Sequence, residues 1–247
     1  MTDGLYLRDA YLTHFDAVVG SSSTDGILLD RTVFYPTGGG QPSDLGTLIS
    51  SDGARWAVTG VEKSADGIVH RGNFDPGPPA GSPVGGEIDW PRRYAHMRYH
   101  TALHILSGVV FHRFGSGITG GQIYGDRARM DFSLPDFDRA LADQLVDGAN
   151  AIVAKDLPIQ VRFIDRQSAQ ADASLVRVAA QLMPDVEEVR LIDISGFDVQ
   201  ADGGTHVRST AEVGPLSLER IENKGSRHKR MYVKVEERPS GSPRAPD

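Results

Sequence analysis

The pattern of apolar residues changes character at Trp90, and that change limits the folds open to the chain more than any other feature. Before Trp90 no helical apolar period of useful length occurs. Asp25-Gly26 reads as a turn, Ile27–Leu29 leads into Val33–Tyr35, and Leu45–Ile49, Trp56–Val61 and Ile68–His70 are further strand-length stretches separated by Gly, Ser and Asp. Regular short strands of this kind predict a small β-barrel or sandwich. Residues 75–86, DPGPPAGSPVGG, hold four prolines and four glycines, so they read as a long surface loop before a last strand at Val84–Ile88.

Beyond the change, Asp89 and Pro91 signal a helix start. Tyr99, Ala102, Leu103, Leu106, Val109 and Val110 then recur at three- and four-residue spacings, which predicts an amphipathic helix that stops at Gly115. Ser133-Leu134-Pro135-Asp136 resembles a capping box opening a second helix through Phe137, Leu141, Leu145, Ala149 and Ile152. Ile159–Ile164 and Val189–Ile194 read as strands, Gln167–Leu182 as a third helix, and Leu216–Ile221 with Met231–Val235 as a closing hairpin. The fold class expected is α+β, with helices on a largely antiparallel sheet following the barrel. The domains expected are 1–90, 91–238 and a disordered tail, 239–247.

The absence of cysteine removes disulfide scaffolds, thiol nucleophiles, iron–sulfur clusters and thiolate zinc sites. A net charge of −7 disfavours a generic DNA or RNA binder that works by bulk attraction, while leaving room for a local basic strip. No apolar run approaches the roughly 20 residues of a membrane span. The amino end, MTDGLYLRDA, lacks the layout of a secretory signal, so a cytoplasmic address with no membrane partner is expected. The sequence does not fix the oligomeric state, and a monomer is the favoured expectation.

Three segments carry chemistry. In His100-Thr101-Ala102-Leu103-His104 the two histidines lie at i and i+4 of a predicted helix, so both imidazoles reach one ion. Thr101 stands where a zinc protease needs its glutamate, which excludes that class. Gln200–Val207 (QADGGTHV) reads as a tight loop after an apolar strand, with Asp202 and His206 as further metal donors or, alternatively, as parts of a solvated turn. Arg31–Pro42 (RTVFYPTGGGQP) ends a strand in three successive glycines that either cradle a phosphate or form a hairpin tip. No Gly-Lys-Ser/Thr follows, so this is not a P-loop.

Together TVFYPTGGGQP, HTALH and GGTHV occur in the order and approximate spacing of alanyl-tRNA editing domains. Over residues 1 to about 237 the chain resembles the free-standing AlaX-type editing proteins of the medium-length class. The segments GQIYGDRARMDF (Gly121–Phe132) and IENKG (Ile221–Gly225) fit the same resemblance. It implies one zinc ion on His100, His104, His206 and Asp202. Many members have a cysteine where this chain has Asp202, so the carboxylate is either a harder direct ligand or a group orienting His206. The resemblance further implies hydrolysis of the ester of mischarged alanine tRNA, seryl first and glycyl second, with the acceptor end of that tRNA as partner. Thr32 is the expected partner of the serine hydroxyl. Gln41, with Gly38, Gly39 and Gly40, is expected to place the terminal nucleotide or the water.

Zinc would polarise the ester, activate a water or hold the amino group, and the residues alone do not choose among these. Arg98, with Arg92 and Arg93, and Lys224, Arg227, Lys229 and Arg230 near the hairpin, suit phosphate contacts. The competing readings are a deacylase of another aminoacyl-tRNA and a non-catalytic tRNA-binding module with structural zinc.

Overall fold

Strand pairing closes on itself in the first part of the chain. A computed structural model describes residues 2–134, 136–171, 175, 187–223, 225 and 228–236. It divides into two units, one up to Ala95 and one from His96. In the first, a short strand β1 (Asp3–Gly4) pairs in parallel with β4 (Arg31–Thr32). Six longer strands, β2 (His14–Ser22), β3 (Gly26–Leu29), β5 (Gly46–Ser50), β6 (Arg55–Ser64), β7 (Gly67–Gly72) and β8 (Pro83–Ile88), form a closed antiparallel barrel in the order β2-β3-β7-β6-β5-β8. Val19, Ile27, Leu29, Leu48, Val58, Val61, Ile68 and Val84 are buried, which fills a barrel of this size with side chains. The barrel expected from the sequence is present, although β2 went unread.

Val33–Tyr35 is not a strand, contrary to expectation. The Tyr35 carbonyl accepts the Asp44 amide (3.1 Å), and side chains rather than a ladder take three more of the segment's backbone groups. The Phe34 amide donates to Thr32 Oγ1 (3.1 Å), the Tyr35 amide to Asp44 Oδ2 (2.6 Å), and the Val33 carbonyl accepts from Arg93. The segment then turns at Gly38–Gln41, whose amides and carbonyls pair with one another at 2.8 and 3.1 Å. Gly39 and Gly40 have φ of 57° and 80°, the two left-handed positions such a tight hairpin turn requires, which accounts for the run of glycines.

His70 gives this unit a pH dependence. Burial pushes its pKa down to about 4, opposed by its hydrogen bond to the Ile27 carbonyl. An unfolded chain titrates at about 6.5. The unfolded state therefore binds the proton first, so the stabilisation is complete above about pH 6.5 and is lost as pH falls toward about 4. Trp56 and Trp90 both lie in this unit, so their fluorescence reads its unfolding. In urea titrations wild type is expected to lose roughly 3 kcal/mol more than His70→Gln between about pH 7 and about pH 4. Parallel curves for the two chains would remove His70 as the source.

The helix α1 (Trp90–Phe114) begins as expected, with Asp89 Oδ1 accepting the Arg92 amide at 3.1 Å, and stops at Gly115, whose φ is 63°. It is not amphipathic. Every residue from Tyr99 to Gly108 is buried, including His100, Thr101, His104 and Ser107, so the apolar spacing is one stripe of a helix covered on all faces. The second unit continues with β9 (Ile118–Ile123) and β10 (Ala128–Ser133), then α2 (Arg139–Val153). The α2 helix starts later than the capping-box pattern suggested. Ser133 ends β10, and the cap is Asp138, which accepts the Leu141 amide at 2.8 Å.

Next come β11 (Ile159–Asp165), a short α3 (Arg166–Ala171), β12 (Glu188–Ile194), β13 (Asp198–Ala201) and the expected hairpin of β14 (Leu216–Asn223) and β15 (His228–Val235). These strands make two antiparallel sheets, β14-β15-β10-β9 and β11-β12-β13. The α2 helix is tied to β14 by Asn150, whose side chain bonds both the amide and the carbonyl of Leu216. The α+β class holds. The third helix beyond Ala171, Lys224, Arg227 and the tail from Pro239 lie outside the described residues. Among the described residues no helix is long and apolar enough to cross a membrane.

Candidate metal centre

The β12–β13 pair delivers one half of the site. Leu191 lies opposite Ala201, so the chain leaves β13 at Asp202 beside Arg190. The Asp202 amide donates to the Arg190 carbonyl (3.1 Å), and Arg190 Nη1 donates back to the Asp202 carbonyl (2.9 Å). From there the loop folds toward α1. The Asp202 carboxylate accepts the Gly204 amide, and a Cβ on Gly204 would overlap the His100 ring, so only glycine lets this backbone lie against the imidazole. The Val207 amide reaches Thr101 Oγ1 at 3.3 Å. That hydroxyl also sits 3.1 Å from His206 Nδ1, leaving His206 Nε2 to face inward.

The other half comes from α1, where the four-residue spacing puts His100 and His104 one turn apart with ring centroids at 5.1 Å. The Nε2 atoms of His206, His100 and His104 stand 3.1, 3.6 and 3.9 Å from the Asp202 carboxylate oxygens. One donor atom from each of the four residues lies within 4.8 Å of all the others. A tetrahedral ion with bonds of about 2.0 Å has ligand–ligand edges of about 3.3 Å, so this cluster can hold a metal ion with small side-chain adjustments.

Its electrostatics suit the same role. Burial lowers the pKa of His100, lowers that of His104 well below the usual value with His206 adding to the effect, and brings His206 to about 4. For Asp202 burial acts upward but is outweighed by His100, the His206 hydrogen bond and His104, so the carboxyl stays well below the usual range. Burial moves all three imidazoles toward the neutral form in which a histidine binds a cation, and a carboxylate binds one when ionised. Nitrogen and oxygen donors of this kind fit zinc and other divalent first-row metals.

Asp202→Asn keeps the shape and removes the charge. Metal affinity measured by chelator competition is expected to fall by about 10–100-fold, the range for lost partners of a metal site, or further if the carboxylate binds directly. Equal affinity in both chains would confine Asp202 to capping Gly204.

The remaining candidate residues divide between the units. Thr32, Gly38, Gly39, Gly40 and Gln41 belong to the first, and Arg98 to the second. Thr32 and Gln41 are fully buried, so neither is a solvated loop side chain. Arg98 donates Nε to the Val213 carbonyl (2.9 Å) and Nη2 to that of Glu236. The expected basic clusters are partly spent within the protein. Arg93 is fully buried against Asp44 and has no face for phosphate. Lys229 is buried and bonds the Gly225 carbonyl, while Arg230 grips Asp131 through Nε and Nη2 at 2.6 and 2.8 Å. Sequence reading missed Thr101 and Arg190 as braces of the site. An arginine inside the apolar run Val189–Ile194 was a signal, since arginine is seldom buried unpaired. Thr101 offered none, lying one residue round the helix from His100.

Residues 9–92 match the family described as tRNA synthetases class II (A), and residues 189–232 match the threonyl and alanyl tRNA synthetase second additional domain. The chain is 38% identical over 236 residues to the alanyl-tRNA editing protein AlaX-M of Saccharolobus solfataricus, covering 95% of this chain and 99% of that protein. Against the AlaX-M protein of Methanosarcina barkeri the identity is 41% over 238 residues, with 94% and 98% covered. The alanine–tRNA ligase of Pyrococcus furiosus is 34% identical over 227 residues, 90% of this chain but 24% of the ligase. The chain belongs to the AlaX-M family of alanyl-tRNA editing proteins.

Proposed function

We propose that this chain hydrolyses the ester joining a wrong amino acid, serine first and glycine second, to the terminal ribose of alanine tRNA. One zinc ion per chain is held by His100, His104, His206 and Asp202. The observation that carries the reading is this buried four-residue cluster in a chain that aligns over 95% of its length with an editing protein. When bound, the ion supplies Lewis acidity to the reacting ester.

The chain's own residues supply orientation and choice. Thr101 fixes the ring of His206 through Nδ1, and Arg190 fixes the backbone at Asp202. Gln41 and the Gly38–Gly40 turn place the terminal nucleotide, and Arg98 meets the acceptor end. A synthetase pocket cannot strongly reject an isostere that adds a hydroxyl, so a second site must recognise that hydroxyl. Thr32 does so: an alanyl ester would leave its buried hydroxyl without the partner that serine supplies.

The test is deacylation of seryl- and alanyl-charged alanine tRNA by the purified chain. The seryl ester should be hydrolysed and the alanyl ester spared. Thr32→Val, which keeps the shape and deletes the hydroxyl, should lower the seryl-to-alanyl rate ratio by roughly 5–30-fold. Binding without hydrolysis of any charged tRNA would make the chain a tRNA-binding module with a structural metal. Preference for another mischarged tRNA would move the substrate.

A further inference from the structure

A histidine that takes no part in the metal cluster lies fully buried in the barrel, bonded at both ring nitrogens. His70 Nδ1 is 3.2 Å from the Ile27 carbonyl oxygen, and Nε2 is 2.8 Å from Thr32 Oγ1. A carbonyl only accepts, so the proton of the neutral ring sits on Nδ1, and Nε2 presents a lone pair. Thr32 must then donate its hydroxyl proton to Nε2. Its oxygen accepts the Phe34 amide at 3.1 Å on one lone pair. The second lone pair has no partner among the described residues. The hydroxyl is thereby held with its proton turned away and a single acceptor position open.

We propose that His70 is a positioning residue for substrate choice, fixing the Thr32 hydroxyl as a pure hydrogen-bond acceptor so that the pocket selects an acyl group bearing an O–H donor. This rests on the reading that Thr32 meets the substrate's serine hydroxyl. It adds a direction to that contact: serine donates and Thr32 accepts. A methyl group in the same place offers no proton and leaves the lone pair empty, while the Thr32 proton stays committed to His70. The environment keeps His70 neutral, as the arrangement needs. Burial pushes its pKa down to about 4, and Phe34 lies edge-on with ring centroids 5.3 Å apart.

The experiment uses the full chain in two measurements. Imidazole nitrogen NMR of wild type should show His70 as the neutral Nδ1–H tautomer at neutral pH, and an Nε2–H tautomer overturns the proposal. Deacylation rates are then compared for seryl- and alanyl-charged alanine tRNA. His70→Leu removes the acceptor and should lower the seryl-to-alanyl ratio by roughly 5–30-fold, as Thr32→Val does. His70→Gln, whose amide oxygen can still take the Thr32 proton, should restore the ratio.

The double variant Thr32→Val/His70→Leu should lose no more than Thr32→Val alone. A role in packing alone would lower both rates together and leave the ratio unmoved. If Thr32→Val lowers the ratio while His70→Leu does not, the positioning role of His70 falls and the Thr32 contact stands. If Thr32→Val leaves the ratio unchanged, the contact itself falls and takes the proposal with it. Should His70→Leu fail to fold, the tautomer and His70→Gln still decide.

Discussion

A His104→Ala chain is expected to purify without stoichiometric metal and to lose hydrolysis of seryl-charged alanine tRNA. Burial, with His206 adding to it, holds the pKa of His104 well below its usual value, and its Nε2 lies 3.9 Å from Asp202 Oδ1. Removing it takes away a nitrogen donor and opens a gap lined by His100, His206 and the carboxylate, and no fifth donor among the described residues belongs to the cluster. Loss of a group behind a ligand weakens metal binding by about 10–100-fold, so loss of a donor itself should exceed that. Mass-spectrometric metal analysis, with His14→Ala as a control at an exposed histidine of β2, measures the first effect. The deacylation assay measures the second. Because the metal binds the folded state, chelation should also lower the melting temperature of wild type and leave that of His104→Ala unmoved. Full metal occupancy in the His100→Ala/His104→Ala double variant would sink the centre as drawn here.

How much of this was readable before any coordinates depended on how far apart in the chain the partners lie. His100 and His104 are joined by one helical turn, and a turn is a local fact, so spacing alone brought them together. The loop that supplies Asp202 and His206 was visible as paired glycines after an apolar strand, and Gly204 has a local reason to be glycine. The bonds Thr32–His70, Arg190–Asp202 and Arg93–Asp44 span 38, 12 and 49 residues, and no period connects their ends. Strand β2 was missed for a related reason. Only Ala17 and Val19 of its residues are fully buried, the polar end Gly20-Ser21-Ser22 imitates a turn, and a register shift between Val19 and Ser21 breaks the alternation. Val33–Tyr35 was misread in the opposite sense. Its residues are strand formers, but Asp44 and Arg93 claim the backbone that a strand would have paired.

Arg93→Leu is expected to destabilise the barrel unit by about 3–5 kcal/mol, the usual consequence of stranding one partner of a buried ion pair. The guanidinium and the Asp44 carboxylate are both fully enclosed. Arg93 Nε bonds both carboxylate oxygens at 3.0 Å, Nη1 donates to the Ala10 carbonyl at 2.8 Å, and Nη2 donates to the Val33 carbonyl and to Asp44 Oδ2. Asp44 in turn accepts the Tyr35 amide, so one ion pair holds the start of helix α1, the segment after Thr32 and the far end of the glycine turn. Leucine leaves an uncompensated charge and three carbonyl or carboxylate groups without their donor. Lysine restores the charge but not the planar fork, so Arg93→Lys should recover only part of the loss. Urea unfolding followed by the fluorescence of Trp56 and Trp90 reads this unit directly. A loss under about 1 kcal/mol for Arg93→Leu would mean that water reaches Asp44 once the guanidinium is gone, and the enclosure described here would be wrong. The same variant links the frame to specificity. With the Val33–Tyr35 backbone released, the Phe34 amide no longer holds Thr32 Oγ1 in place, and the seryl-to-alanyl rate ratio should fall even in those molecules that remain folded.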